Sequence, residues 1–173
     1  MAYNLLKGKK GLIFGALNEQ SIAWKVAERA VEEGAEIVLT NTAVSIRMGT
    51  IGRLAEKCNT IVVPADATSV EDLENLIDKT MEHFGGMFVF MLHSMGMSRN
   101  VGKGRSYVDL DYDYLSKTLD ISAISFHKAI QVALEKNEAA REILWLLPQT
   151  EYREALAEMT FYMDELLNDC RIS

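Results

Sequence analysis

At 173 residues the chain is long enough to bury a core without disulfide support, and a single domain over 1–173 is the default expectation. A composition of 49% hydrophobic and 25% charged residues, with only two prolines, excludes a long disordered tract or a proline-rich linker. A net charge of −7 argues against a general affinity for nucleic acid or for an anionic membrane surface.

The two cysteines, Cys58 and Cys170, have no CxxC spacing, which suits two free thiols in a reduced, cytoplasmic protein. His83, His93 and His127 lie on separate predicted elements without ligand spacing, so no metal is expected. Residues 1–10 contain no long apolar run, so neither a signal peptide nor a membrane span is expected there.

Residues 11–14 form a short apolar strand that runs into Gly15 and a polar turn, and a helix follows from about Ser21. On that helix Ile22, Val26, Ala27, Ala30 and Val31 recur at helical spacing, and Gly34 marks its end. EIVLT at 36–40 predicts a second strand, and residues 47–57 a helix weakened by Gly49 and Gly52. TIVV at 60–63 predicts a third strand, closed by Pro64. Ser69 then caps a helix with Glu71 and Asp72 in its first turn and Val70, Leu73, Leu76, Ile77, Met81 and Phe84 on one face.

MFVFMLH at 87–93 is nearly continuous in apolar residues, as expected for a strand covered on both faces. Residues 94–110 predict a loop, and a long helix follows from about Asp111 to Lys136, with Leu115, Leu119, Ala123, Phe126, Ile130 and Leu134 on its face. ILWLL at 143–147 is read as a fifth buried strand, with the end of a helix from Glu138 as the alternative. Thr150 caps a last helix over 151–168. Alternating strands and helices of this kind predict an α/β fold: a doubly wound, Rossmann-like parallel sheet of about five strands, order 3-2-1-4-5, with helices on both faces.

A strand, a glycine turn and a helix start make a cradle for phosphate, because the first amides of a helix lack intrahelical partners and the helix dipole adds partial positive charge. The general fingerprint G-x-G-x-x-G is absent. In its place stand Gly15-Ala16, four residues, and Ser21-Ile22-Ala23. Ala65-Asp66 follows strand 3, His93-Ser94-Met95-Gly96 follows strand 4, and Asp120-Ile121-Ser122 lies in the long helix.

Over residues 1–133 these landmarks resemble the NADH-dependent enoyl-acyl-carrier-protein reductases, a divergent branch of the short-chain dehydrogenases. The resemblance implies that Gly15, Ala16, Ser21 and Ile22 hold a pyrophosphate and ribose, with Ser21 offering a hydroxyl and an amide. It implies that Asp66 and Ala67 border the adenine, and that Ser94 and Gly96 lie against the nicotinamide-side ribose. The acid that would bind the adenosine ribose is missing, with Thr40-Asn41-Thr42 in its place. Arg47 a little further on could meet a 2′-phosphate but is read as a solvated helix residue, so NAD is the expected cofactor and NADP stays open. Homo-oligomerisation through the long helices is a further implication of the resemblance.

The family's carboxyl half carries a Tyr-x6-Lys pair, in which tyrosine stabilises an enolate and lysine grips the ribose. Beyond strand 4 no tyrosine here has a lysine seven residues on, and the nearest candidate, Tyr152, is followed at that spacing by Met159. Tyr-x3-Lys occurs only as Tyr3 and Lys7, ahead of strand 1. The expectation is a nicotinamide-dinucleotide-binding domain derived from such a reductase, without reductase activity, in which 134–173 supply a divergent closing strand and helix. One alternative is an engineered or truncated scaffold, forming a homodimer, with a relic cofactor site. The other is an active NADH-dependent reductase of fatty-acid synthesis using Tyr107, Tyr112 or Tyr114.

Overall fold

The structure, a computed structural model, describes residues 2–96, 108–109, 111–146, 154 and 158. The chain divides into two compact units, Met1–Ile130 and Gln131–Ser173, and the sheet lies in the first. Its strands β1 (Lys10–Phe14), β2 (Glu36–Asn41), β3 (Val62–Pro64) and β4 (Phe90–His93) are all parallel, in the order β3-β2-β1-β4. Parallel neighbours need crossovers, and helices supply them. α1 (Ile22–Glu32) joins β1 to β2, α2 (Ala43–Met48) and α3 (Ile51–Cys58) join β2 to β3, and α4 (Val70–Phe84) joins β3 to β4. This is the doubly wound, Rossmann-like arrangement.

Strand residues alternate between the two faces. Ile13, Ile37 and Leu39 face one way, against Ala23, Trp24, Ala27 and Ala30 of α1 and Ile51, Leu54 and Ala55 of α3. The alternate residues Leu12, Phe14 and Val38 are equally buried on the other face, and α4 buries Leu73, Leu76, Ile77 and Phe84 outside the first cluster. Across the sheet Phe14 lies level with Thr40 and His93, so these three side chains share a face at the C-terminal ends of the strands.

Local chemistry sets the ends of these elements. The Ser69 hydroxyl accepts from the Asp72 amide at 3.2 Å to cap α4, and Gly85 at φ 64° closes it. Lys10 Nζ donates to the Phe84 carbonyl at 2.7 Å, placing a cation on the negative end of that helix. Glu33, buried at the end of α1, accepts from the Tyr3 and Leu5 amides at 2.8 and 3.2 Å and pairs with Arg29. Burial pushes the Glu33 carboxyl up, but the Leu5 and Tyr3 amides and the Arg29 charge outweigh it, leaving the group more acidic than usual.

Glu28 ties α1 to α3 by accepting from Lys57 at 2.7 Å, Lys25 at 3.0 Å and Trp24 Nε1 at 3.0 Å. Lys57 first, then Lys25, holds its carboxyl down to about 2 from the ordinary 4.5. A lowered carboxylate pKa stabilises the fold above the unfolded value and loses that contribution as pH falls through the folded one. Solvent around both lysines screens the pair, so Glu28→Gln should cost about 1 kcal/mol at neutral pH. Denaturant titrations at pH 7 and near pH 2 check this: the difference should be present at the first and nearly gone at the second.

Several predicted elements are revised. On α1 the inward face is Ala23, Trp24, Ala27 and Ala30, whereas Ile22 is 73% exposed and Val26 is also exposed. The small alanines bring the helix close to the sheet, and the larger residues expected inside turn outward. The predicted helix over 47–57 is two helices, α2 and α3, separated at Gly49 and Thr50. The fourth strand spans only Phe90–His93 and is half-buried, not covered on both faces. Phe90 lies over Gly11, where a Cβ would come within 2.1 Å of its ring.

The long helix consists of α5 (Tyr112–Leu119), one π-helical turn (Asp120–Ile124) and α6 (Ser125–Leu146). A π turn inserts one extra residue and rotates the downstream helix by about 100°. Downstream the expected face is displaced accordingly, with Phe126 exposed and Ser125 and Ala129 buried, while Leu119, just before the turn, is exposed as well. α6 also runs ten residues past the predicted end at Lys136 and takes in residues 143–146, overturning the fifth strand there. No glycine or proline interrupts Glu138-Ala139-Ala140-Arg141-Glu142, and these helix formers carry the helix through the apolar run. The predicted helix over 151–168 lies outside the described residues, except that Glu154 and Glu158 are helical.

Candidate functional site

The C-terminal ends of the four strands come to one edge of the sheet, where ligands of doubly wound folds bind. Gly15 leaves β1 at φ 90°, and a Cβ there would lie 2.1 Å from the Ser94 carbonyl oxygen. Only a glycine lets the turn after β1 and the loop after β4 meet backbone to backbone. The predicted residue Gly15 is thereby brought beside Ser94, while a Cβ at Gly96 would lie 3.9 Å from Ser122 Oγ in the π turn.

The turn itself is held by groups that sequence patterns do not assign to it. Asn41 Nδ2, at the end of β2, donates to the Ala16 carbonyl at 3.0 Å, and Asn41 Oδ1 accepts from the Thr42 amide at 2.8 Å. The Thr50 amide donates to the Leu17 carbonyl at 2.9 Å. Gly49 is obligatory for that approach, since a Cβ would stand 2.6 Å from the same oxygen. The only sequence signals are an asparagine at a strand end and a glycine inside a helical stretch.

Ser21 is the N-cap of α1, yet its hydroxyl serves the turn rather than the helix. It accepts from the Leu17 and Asn18 amides at 3.1 and 3.3 Å and donates to the Asn18 carbonyl at 2.5 Å; the Ser21 amide donates to the same carbonyl at 3.0 Å. The expected free hydroxyl and amide of Ser21 are therefore both engaged. The amides of Ile22 and Ala23, the first two of α1, have no acceptor among the described residues and are the donors this helix start presents. Beside them the Ile22 side chain is exposed.

At the end of β2, Thr42 caps α2, its Oγ1 accepting from the Ser45 amide at 3.2 Å, while Arg47 is exposed. The Thr40 hydroxyl is fully buried with no partner among the described residues. After β3, Asp66 is exposed and Ala67 buried. One Asp66 carboxylate oxygen accepts from the Thr68 amide at 2.9 Å and hydroxyl at 2.7 Å, and the Asp66 amide donates to Asp72 at 2.8 Å.

After β4, the His93 ring lies between Phe14 and Phe126, with centroids 5.8 and 5.4 Å away, and Nε2 is 2.8 Å from Ser125 Oγ. Burial pushes the imidazole pKa below its usual value, so the ring is neutral at pH 7. Cys58 is half-buried, and burial chiefly raises its thiol pKa, so it is no nucleophile at neutral pH. Among the described residues no group of three His, Cys, Asp or Glu could hold a metal ion, and no helix is long and apolar enough to cross a membrane.

Tyr152 and its spaced partner Met159, with Tyr107 and Cys170, lie outside the described residues. Tyr3 and Lys10 do have the Tyr-x6-Lys spacing. They belong to the other end of β1, where Lys10 is bound to the C-terminus of α4, and so do not supply the missing pair at this edge.

This fold and edge define a parallel α/β domain of the short-chain-dehydrogenase kind. A family model described as enoyl-(acyl carrier protein) reductase matches residues 15–147, and the chain belongs to that family. The NADH-type enoyl-[acyl-carrier-protein] reductase 2 of Rhizobium meliloti is 32% identical over 132 residues, which are 76% of this chain and 48% of that protein. The NADH-type reductase FabI of Rickettsia felis is 38% identical over 128 residues, 72% of this chain and 48% of its own. Among solved structures, a FabI–NADH complex from Alistipes finegoldii is 92% identical, with a TM-score of 0.75 over 78% of this chain and 48% of that one. A reductase from Anaplasma phagocytophilum in complex with NAD is 27% identical, with a TM-score of 0.69 over 78% of this chain and 51% of that one. The chain spans about half the length of the curated relatives it matches.

Proposed function

We propose that the chain binds a nicotinamide dinucleotide, NAD(H), along the C-terminal edge of its sheet. The observation that carries this reading is the turn after β1: Gly15 packs against the Ser94 carbonyl, beside two helix-start amides without acceptors among the described residues. In this reading Gly15, Ala16, Ser21 and Ile22 surround the pyrophosphate, with the Ile22 and Ala23 amides as donors and Ser21 shaping the turn. Asp66 and Ala67 border the adenine, and Ser94 and Gly96 the nicotinamide-side ribose. The NADH and NAD complexes of the similar structures support the same ligand. NADH fluorescence and melting temperature should both change saturably on titration, and no saturable change at millimolar NADH would refute the reading. A parallel NADPH titration reads the cofactor preference, with Arg47 the exposed cation nearest in sequence to the end of β2.

The same reading holds that this chain does not itself reduce enoyl thioesters, because Met159 stands seven residues after Tyr152 and cannot bond a ribose hydroxyl or carry charge. Enoyl-thioester-dependent NADH oxidation should stay at the buffer rate. Sustained oxidation abolished by Tyr→Phe at position 107, 112 or 114 would overturn it. A homo-oligomer is the second reading, favoured by the exposed apolar residues Leu119, Ile124 and Phe126 on the long helical run. Sedimentation showing only monomer at high concentration would remove it.

A further inference from the structure

We infer that the π turn Asp120–Ile124 is a crossbeam that positions both ends of the dinucleotide site, through Lys128 the loop leaving β3 and through Ser125 the loop leaving β4. This inference rests on the dinucleotide-binding reading. Lys128 Nζ donates to the Thr68 carbonyl at 3.1 Å and pairs with Asp120 at 2.9 Å. Thr68 is the residue whose amide and hydroxyl hold the Asp66 carboxylate. The first end of the turn is thus joined to the adenine-side loop by one cation with two partners.

The other end is joined by a relay of two hydrogen bonds. In the π turn the Ser125 amide reaches five residues back to the Asp120 carbonyl, passing over Ile121. The Ser125 hydroxyl donates to that bypassed Ile121 carbonyl at 2.7 Å. With that proton given to Ile121, Ser125 Oγ is left as an acceptor for the 2.8 Å contact with His93 Nε2, which suits the tautomer protonated at Nε2. His93 is the last residue of β4, and Ser94, whose carbonyl packs against Gly15, follows it directly. Ser125 is fully buried, and its two partners His93 and Ile121 are half-buried. Lys128, Ser125 and His93 are positioning residues, and in the π turn the Ile121 carbonyl bypassed by the Ser125 amide is taken by the Ser125 hydroxyl instead.

Two ligands separate the two ends: AMP occupies the adenine side alone, and NADH spans both. Lys128→Met should weaken AMP and NADH alike, by about three- to tenfold, the range expected for the net loss of one ordinary hydrogen bond. Ser125→Ala should weaken NADH by a similar factor and leave AMP unchanged. Amide exchange in the ligand-free protein gives a reading independent of cofactor binding. Lys128→Met should speed exchange at 66–68 and spare 94–96, and Ser125→Ala should do the reverse. Equal loss of both ligands in both variants, unchanged affinity in both, or uniform acceleration of exchange would each overturn the crossbeam. If the wild-type protein binds no NADH while the two variants still show the selective exchange pattern, the dinucleotide reading is refuted and the crossbeam stands.

Discussion

Gly15→Ala should lower the melting temperature by about 10 °C and abolish detectable NADH binding. Two costs combine. An alanine at φ 90° costs about 1–3 kcal/mol in backbone strain alone. Its Cβ would also stand 2.1 Å from the Ser94 carbonyl oxygen, and both sides of that clash are backbone, so no rotamer change relieves it. Overpacking of this kind adds about 1–3 kcal/mol, and each kcal/mol is worth about 2–4 °C in a chain of this size. Relief requires the end of β1 to move away from the loop after β4, which opens the place where the two halves of the ligand would join. Thermal unfolding and an NADH titration read the two effects separately. A wild-type melting temperature with an unchanged titration would show that the backbone approach at Gly15 is not required.

Asn41→Ala should cost about 2–4 kcal/mol and weaken NADH at least tenfold. Asn41 is 6% exposed, and its amide satisfies the Ala16 carbonyl and the Thr42 amide together. Removing it strands two backbone groups where water is scarce, at about 1–3 kcal/mol each before relaxation. Asn41→Asp is the informative companion. It keeps the acceptor for Thr42 but replaces the donor to Ala16 with a second acceptor, so it should impair binding more than it impairs folding. Chemical denaturation gives the first quantity and NADH affinity the second. If Asn41→Asp binds as well as wild type, the tether between β2 and the turn does not matter for the ligand.

The β1–turn–α1 unit, the crossovers and the order of the four strands are legible in the sequence because they depend on short-range patterns: apolar runs, a glycine, a helix start. The landmarks at Gly15, Asp66 and Ser94 likewise sit at strand ends that the pattern locates correctly. Other features are not legible, chiefly because the deciding partner lies elsewhere in the chain. The face of α1 is misread because Ala23, Ala27 and Ala30 are small, and their value emerges only against the sheet. Gly49 reads as a weak point in a helix until Leu17 is brought against it. Asn41 and Ser125 are ordinary polar residues whose roles come from partners 25 and 4 residues away respectively. The π turn has no residue signature at all, and it rotates the helix after it so that Phe126 faces outward. The apolar letters at 143–146 look like a strand, whereas the uninterrupted helix formers before them decide otherwise.

The tethers on the turn after β1 also sort its peptide dipoles. The carbonyls of Ala16, Leu17 and Asn18 are each claimed by a donor from the protein itself, Asn41, Thr50 and Ser21 in turn. Among the described residues no lysine or arginine bonds to this turn, and the donors that the start of α1 presents are neutral N–H groups. On a chain of net charge −7, neutral donors of this kind would attract a bound anion only at close range, while the net charge would repel it from afar. Dissolved salt therefore screens the repulsion more than the attraction, opposite in sense to a pocket built from cationic side chains.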